Sequence, residues 1–331
     1  MRDFKKILVP TDFSAGAEAA YKTAVEMASR FDGKVDLIHI IRSSKYWNES
    51  IKRIGLPVDP DKEVYPRIVE EAELQLENLL QQKISAAVRG KYYLKINRKS
   101  HAGITEFAEK NNYDLIVMGA KGAHESSMFR GGTTEKVIRH SKVPVFAIDK
   151  DPGRRGVENI VVPSDASKLS FTAFPVAVKL ASMYGAKVTL FHVLELYGTI
   201  GAHFPDQYNY EKIERDAVYN SLINKLKKFL KESGIANIRI ENAEKAYENV
   251  ILYNDGNNGY TIPLKTKVVK GFSAHYEIEK YSQESADIVA IATHGRSGFA
   301  HLIMGSTAEK VAQYVEKPVI TVRPEEKLFE R

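Results

Sequence analysis

The stretch KILVPTDFS at residues 6–14 decides the fold, because it returns as NIVVPSDAS at residues 159–167. Each copy begins with a short apolar run, as a buried strand does, and ends on a serine that suits the N-cap of a helix. The apolar runs that end at Ile40 and Val193 keep the same offset of 153 residues. A repeat of this length predicts two related domains.

The repeat continues to the end of each copy while its offset grows. The stretch DLIVMGAKG at 114–122 matches DIVAIATHG at 287–295 at an offset of 173. Further on, the EKV of 135–137 matches that of 309–311 at an offset of 174. The second copy has therefore gained a net 20 residues in its middle and one more inside a glycine-rich loop.

The join between the copies is expected at 149–156, DKDPGRRG, because this segment is rich in proline, glycine and charge, as linkers are. We therefore expect one domain at 1–150 and a second at 156–324. Pro175 falls inside the first helical pattern of the second copy, where it predicts a kink or a late start of that helix.

Within each copy, short apolar runs alternate with longer amphipathic segments, as βαβ units require. This alternation predicts an α/β protein with parallel, doubly wound sheets and right-handed crossovers. In the first copy, strands are expected at 4–9, 34–40, 92–97, 114–118 and 143–148, and the later helices near 102–110 and 133–140.

The extra residues of the second copy lie at about 243–265. Two β-prone runs, NVILY at 249–253 and YTIPL at 260–264, flank the turn-forming sequence NDGNNG. This pattern predicts a hairpin at an edge or surface of the sheet. We expect 246–266 to be an autonomous insertion that can be shortened without loss of the fold.

Composition limits the class of protein. With 44% apolar and 27% charged residues, the chain is expected to be a soluble globular protein. No apolar run reaches the ~18 residues that span a bilayer, and residues 1–13 lack the features of a secretory signal. The absence of cysteine agrees with a reducing compartment, so we expect a cytoplasmic protein without a membrane partner. The 48 basic residues are interleaved with 42 acidic ones, and we infer no nucleic-acid partner.

Glycines and hydroxyl residues follow the strands where a parallel sheet binds its ligands. In the second copy, the strand at 287–292 leads into THGRSG, and nine residues separate Gly295 from Gly305, which opens a helix. Glycine lets a phosphate approach the main chain, and a helix N-terminus offers N–H groups to it. Asp12 and Asp165 end the first strands, where we favour a hydrogen-bond acceptor or turn-capping role over a catalytic one.

With these features the chain resembles the universal stress proteins over nearly its whole length. The resemblance implies two tandem Rossmann-like domains of the adenine nucleotide alpha hydrolase-like type. Members that bind ATP carry G-x2-G-x9-G-[ST] at this place, and the first glycine is here replaced by an alanine. Nucleotide-binding positions in the second copy are then expected at Pro163, Ser164, Asp165, Val193, Gly271, Ala292, Gly295, Arg296, Gly305, Ser306 and Thr307.

The first copy carries a weaker candidate site. The string Gly119-x2-Gly122-x9-Gly132-Thr133 satisfies the family pattern literally. If the following helix is aligned on the EKV of 135–137, however, the motif glycine is Gly131. Its candidate residues are Asp12, Ile40, Gly119, Gly122, Gly131, Gly132 and Thr133. Because Glu125 also adds negative charge to this loop, we expect the nucleotide in the second copy.

The resemblance implies a stress-response regulatory protein that binds an adenine nucleotide, ATP foremost, with Mg²⁺ or Mn²⁺ as an accompanying cation. We identify no catalytic residue and no metal site of the protein's own, and expect His39 and His192 to be packed or hydrogen-bonded. A slow ATPase or nucleotide-activating enzyme and a nucleotide-free interaction scaffold remain open alternatives. The last strands of the two copies, 143–148 and 318–323, are expected to pair as an internal pseudo-dimer. A homodimer is a further possibility.

Overall fold

The computed structural model describes residues 4–42, 65–120, 131–149, 156–196, 207–245, 247–294 and 304–324, with the backbone alone for 207–215. The chain divides into two compact units near residue 151. The predicted domain limits, 1–150 and 156–324, stay a prediction at the level of single residues. Among the described helices, none is long and apolar enough to cross a membrane.

The first unit is a parallel α/β sheet. Its described strands pair in the order β3-β2-β1-β4-β5, and all four pairings are parallel. Its elements are β1 (Lys6–Pro10), α1 (Glu18–Arg30), β2 (Lys34–Arg42), α2 (Tyr65–Lys83), β3 (Arg89–Asn97), α3 (Ser100–Lys110), β4 (Leu115–Gly119), α4 (Gly132–His140) and β5 (Val145–Ile148).

The second unit repeats this arrangement and extends it. Its described strands pair in the order β12-β11-β6-β7-β10-β9-β8, in which only the pairs made by β9 are antiparallel. Its elements are β6 (Asn159–Pro163), α5 (Phe174–Tyr184), β7 (Lys187–Glu195), α6 (Gln207–Glu232), β8 (Ile238–Asn242), β9 (Glu248–Asn254), β10 (Gly259–Gly271), α7 (Ala274–Ser285), β11 (Ile288–Ala292), α8 (Ser306–Tyr314) and β12 (Val319–Val322). The predicted tandem of doubly wound α/β domains is confirmed.

The apolar runs form the core strands because helices cover both faces of the sheet, which leaves no solvated face for polar residues. Ile7, Leu8 and Val9 of β1 are fully buried, as is Ile160 of β6. The repeat is less regular at the first helix of the second unit. A 3₁₀ turn comes before the first helix in both units, but α5 begins at Phe174, whose counterpart Tyr21 lies inside α1. Pro175 lies in the first turn of α5, so the late start is confirmed.

The predicted hairpin forms between β9 and β10, with Gly256 in its turn at φ +98°. The expectation of an autonomous insertion is wrong. Strand β10 continues past the hairpin, and its residues Leu264–Gly271 pair with β7 as β3 pairs with β2 in the first unit. Ile251 and Leu264 are buried, with at most 1% of the surface of each residue exposed. Because the same strand, β10, belongs to the hairpin and to the main sheet, the extra residues add strands to the edge of that sheet.

Candidate functional site

A cavity of about 630 Å³ lies in the second unit at the carboxyl ends of β6, β7 and β11. Small-molecule pockets commonly measure ~300–1,000 Å³. Parallel α/β sheets bind their ligands at this edge. The cavity brings together these residues expected from the sequence: Pro163, Ser164, Asp165, Val193, Ala292, Gly305, Ser306 and Thr307.

The turn after β6 is held by hydrogen bonds from the main chain to side chains. Asp165 Oδ1 accepts from the N–H of Ser167 at 2.9 Å, and Ser164 Oγ accepts from that of Ala166 at 3.0 Å. Ala166 adopts φ +63°, a left-handed conformation that costs energy for a residue with a side chain. The first unit repeats it at Phe13, at φ +62°. Asp165 therefore caps the turn, which is one of the two roles expected for it from the sequence.

The end of β7 presents an open edge to the cavity. Strand β6 stops beside Phe191, whose carbonyl accepts the N–H of Ser164 at 2.9 Å. Peptide groups of successive residues in a strand point to opposite sides, so the N–H and C=O of Val193, two residues on, point the same way as those of Phe191. Val193 lines the cavity. Its main chain therefore offers one donor and one acceptor side by side.

The strand-end histidines are hydrogen-bonded, as the sequence predicted. Nδ1 of His192 lies 2.7 Å from the carbonyl of Ser164, and Nδ1 of His39 lies 2.8 Å from the carbonyl of Thr11. Because a carbonyl only accepts, each Nδ1 carries the proton. Within the described part of the chain, no three His, Asp or Glu side chains lie close enough to hold a metal ion.

The N-terminus of α8 supplies main-chain donors to the cavity. Its N-cap is Gly305, at φ −61° and ψ 141°, and the first helical turn is closed by the N–H of Glu309 to the Gly305 carbonyl at 2.9 Å. The N–H groups of Ser306, Thr307 and Ala308 precede this bond and so have no acceptor within the helix. All three residues line the cavity. This end of the cavity is suited to an anion.

The first unit has a much smaller cavity, of about 140 Å³, lined by the expected residues Asp12, Ile40, Gly119, Gly131 and Thr133. Gly131 is the N-cap of α4 at φ −59° and ψ 141°, and its N–H donates to Ala120 at 2.8 Å. The N–H of Gly305 donates in the same way to the carbonyl of Thr293, at 2.8 Å. Gly131 is therefore the counterpart of Gly305, and Gly132 takes the place of Ser306 outside the cavity lining.

A side chain accounts for part of this difference in size. Thr134 stands in the first unit where the second has Ala308, and its Oγ1 donates to the carbonyl of Gly119 at 2.9 Å. The hydroxyl thus fills space between α4 and the end of β4. At about 140 Å³ the cavity falls below the usual range for organic ligands.

A buried tyrosine braces the turn of the first unit. The hydroxyl of Tyr21 is hydrogen-bonded to Thr11 Oγ1. Burial above all, with the nearby charges of Asp12 and Glu18, raises the pKa of Tyr21 to about 12. The phenol therefore stays protonated at physiological pH. The corresponding position of the second unit is Phe174, and there Ser164 bonds to Ser170 at 2.7 Å instead.

Gly271, expected from the sequence as a nucleotide contact, lies outside the cavity lining. It ends β10, and a Cβ at this position would lie 2.5 Å from Cγ of Glu277. A larger residue at this position would therefore require the Glu277 side chain to move. Gly295, Arg296, Gly122 and Glu125 lie outside the described residues.

Sequence reasoning missed several lining residues, among them Phe191, Glu195, Ala274, Ile278 and His294. Glu195 could have been found by counting two residues on from Val193 along the same strand face. The residues of α7 carry no such local signal, because only the packing of that helix brings them to the cavity.

Comparisons with known proteins agree with this architecture. The model of the universal stress protein family matches residues 3–149 and again 156–323. A universal stress protein of Methanocaldococcus jannaschii is 33% identical over 153 residues, which span 44% of this chain and 83% of that protein. One from Mycolicibacterium smegmatis is 22% identical over 96% of this chain and 97% of its own length. The crystal structure of a universal stress protein from Archaeoglobus fulgidus is 18% identical, with a TM-score of 0.59, and covers 97% of this chain and 98% of that chain; this likeness shows the fold.

Proposed function

Because the chain belongs to the universal stress protein family, we propose that it is a cytoplasmic stress-response regulatory protein that binds an adenine nucleotide, ATP foremost. The observation that carries the proposal is the cavity of the second unit, with helix N–H donors at one end and an open strand edge at the other. One universal stress protein of solved structure is in complex with cAMP. The cAMP complex is a property of that protein alone. For this chain, the support for nucleotide binding comes from the cavity of the second unit.

The phosphates are assigned to the N-terminus of α8. The N–H groups of Ser306, Thr307 and Ala308 have no helical acceptor, and the positive end of the helix dipole favours an anion. The hydroxyls of Ser306 and Thr307 add donors. Gly295 and Arg296 belong to the same expected phosphate loop by sequence.

The base is assigned to the end of β7. Strand β6 separates β7 from β11, so the two ends of the cavity are about 10 Å apart, or two strand spacings. A nucleotide reaches across such a span. The donor and acceptor of the Val193 main chain match the ring N1 and the amino group at the Watson–Crick edge of adenine. Asp165 lies between the two ends, on the turn after β6.

A regulatory role is favoured over turnover because the cavity is rich in main-chain donors. Asp165, the carboxylate expected there, has Oδ1 engaged in capping its own turn. The described residues offer no group of three metal ligands, so Mg²⁺ or Mn²⁺ bound with ATP would take its ligands chiefly from phosphate and water.

Among the described pairings within each unit, the last strand, β5 or β12, pairs on one side only, with β4 or β11. We propose that these strands pair within one chain, since an open sheet edge invites association. Sedimentation velocity tests this. A monomer of 37.2 kDa is expected, whereas a dimer would favour pairing between chains.

Mass spectrometry of small molecules released from freshly purified, denatured protein tests the nucleotide proposal, followed by calorimetry with ATP. We expect an adenine nucleotide, or a measurable heat of ATP binding to one site per chain. No retained nucleotide and no binding heat would support the scaffold alternative, and sustained phosphate release under excess ATP would support an enzyme.

A further inference from the structure

Two histidines of the first unit lie against each other on neighbouring helices. His101 is the second residue of α3, and His140 is the last residue of α4. Their ring centres lie 5.4 Å apart, and the planes of the two rings are inclined by 35°. His101 is half-buried, whereas His140 is exposed. Neither residue lines the cavity of the first unit, so a ligand in that cavity does not account for the pair.

Both rings have nitrogen atoms that can bind a ligand. Nδ1 of His140 lies 2.8 Å from the carbonyl of Lys136. Because a carbonyl only accepts, this nitrogen carries the proton and Nε2 keeps a lone pair. A main-chain carbonyl commonly orients a metal-binding histidine in this way. Among the residues that the structure describes, neither ring nitrogen of His101 has a hydrogen-bond partner.

The surroundings of His101 favour its neutral form. Burial above all lowers the pKa of His101. The nearby charges of His140, Lys136 and Lys99 lower this pKa further. A metal ion binds only the unprotonated imidazole, so fewer protons compete with a metal at this ring. Since the two lysines also repel cations, only a metal that bonds strongly to nitrogen suits the pair.

The distance between the rings fits a single shared metal ion. A tetrahedral ion with Zn–N bonds of about 2.0–2.1 Å holds two nitrogens about 3.4 Å apart, which puts the ring centres roughly 5 Å apart. The observed separation of 5.4 Å is close to this value. No third His, Asp or Glu joins the pair among the described residues, so water would complete the coordination.

We propose that His101 and His140 form a binding site for one divalent transition-metal ion, Zn²⁺, Ni²⁺ or Cu²⁺, between α3 and α4. These ions favour imidazole nitrogen, whereas Mg²⁺ and Ca²⁺ favour oxygen ligands. The site does not depend on nucleotide binding, which is proposed for the second unit. Because its two ligands stand on different helices, a bound ion ties α3 to α4 and stabilises the folded first unit.

Calorimetric titration of the full-length protein, without a histidine tag, with NiCl₂ tests this. Loss of a residue that only orients a metal ligand costs about 10–100-fold in affinity, so His101→Gln and His140→Gln should each weaken the tightest Ni²⁺ site at least about tenfold. The double variant should lose little more, because either substitution alone already removes the chelate. His275→Gln, on α7 of the second unit, is the control and should leave this site unchanged.

Thermal denaturation supplies a second measurement. Saturating Ni²⁺ should raise the Tm of the wild type and of His275→Gln, but not that of either pair variant, whereas Mg²⁺ should have no such effect. Since His140 is exposed, His140→Gln is expected to fold and tests the site even if His101→Gln does not. A wild type that binds no Ni²⁺, or a Ni²⁺ affinity within twofold of wild type in His140→Gln, would overturn the proposal. Losses that multiply in the double variant would also overturn it, because they would show two separate weak sites.

Discussion

Replacing Gly305 by valine is the sharpest test of the phosphate position. Gly305 has φ −61° and ψ 141°, a region that valine adopts readily, so the backbone need not change. The new side chain would stand at the N-cap of α8, directly before the N–H groups of Ser306, Thr307 and Ala308. It should therefore keep a phosphate away from these donors without unfolding the helix.

The expected loss can be worked from these contacts. A hydrogen bond to a charged group contributes roughly 1.5–3 kcal/mol, and each ~1.4 kcal/mol changes Kd tenfold. Losing one of the three N–H contacts should raise the Kd for ATP at least about tenfold, and losing two should raise it about a hundredfold or more. Isothermal titration calorimetry measures this directly.

Gly131→Val in the first unit is the matched control. Gly131 is also an N-cap, at φ −59° and ψ 141°, so both variants carry the same helix-capping penalty of about 1 kcal/mol. Thermal denaturation should show similar shifts for the two, while only Gly305→Val loses ATP. The reverse pattern, with ATP binding abolished by Gly131→Val alone, would refute the reasoning and identify the literal string at Gly132 as the true site.

Three further predictions concern stability. Gly271→Ala should lower the free energy of unfolding by about 1–3 kcal/mol through overpacking against Glu277, and leave the Kd for ATP unchanged; a weaker Kd at unchanged stability would restore Gly271 as a contact. Gly132→Ala, whose Cβ meets no atom within 4 Å, is its control. Because the pKa of Tyr21 rises from 10.0 to about 12 on folding, the stability that this residue contributes is fully present below pH 10 and is lost as pH rises through 12. Denaturant titrations of Tyr21→Phe should therefore show a shallower fall in the free energy of unfolding between pH 10 and 12 than wild type. An identical fall in the two proteins would contradict the raised pKa. Replacing 243–264 by a short Gly/Ser turn should abolish cooperative thermal unfolding of the second unit, since it removes β9 and part of β10; retained cooperativity would revive the autonomous insertion.

The repeat, the alternation of strands and helices and the family resemblance could all be read from the sequence. They depend on neighbouring residues: the apolar run of Ile7–Val9 predicts a buried strand wherever it lies, and Pro175 delays a helix whatever packs on it. The hairpin could also be predicted locally, from its turn sequence. What remained hidden was its continuation, since pairing Leu264–Gly271 with β7 joins segments far apart in the chain.

The sequence by itself determined two related α/β domains and the strand ends at which a ligand would lie. Only the tertiary structure decided which glycine of the first copy is equivalent to Gly305. The spacing of the sequence allowed Gly131 or Gly132, and the N–H of Gly131 donates to the Ala120 carbonyl as that of Gly305 donates to the Thr293 carbonyl. It also decided the sizes of the two cavities and the place of Glu195 in one wall. A cavity is the space left where several distant segments meet, so its volume and lining depend on packing and are not encoded in any one stretch of residues.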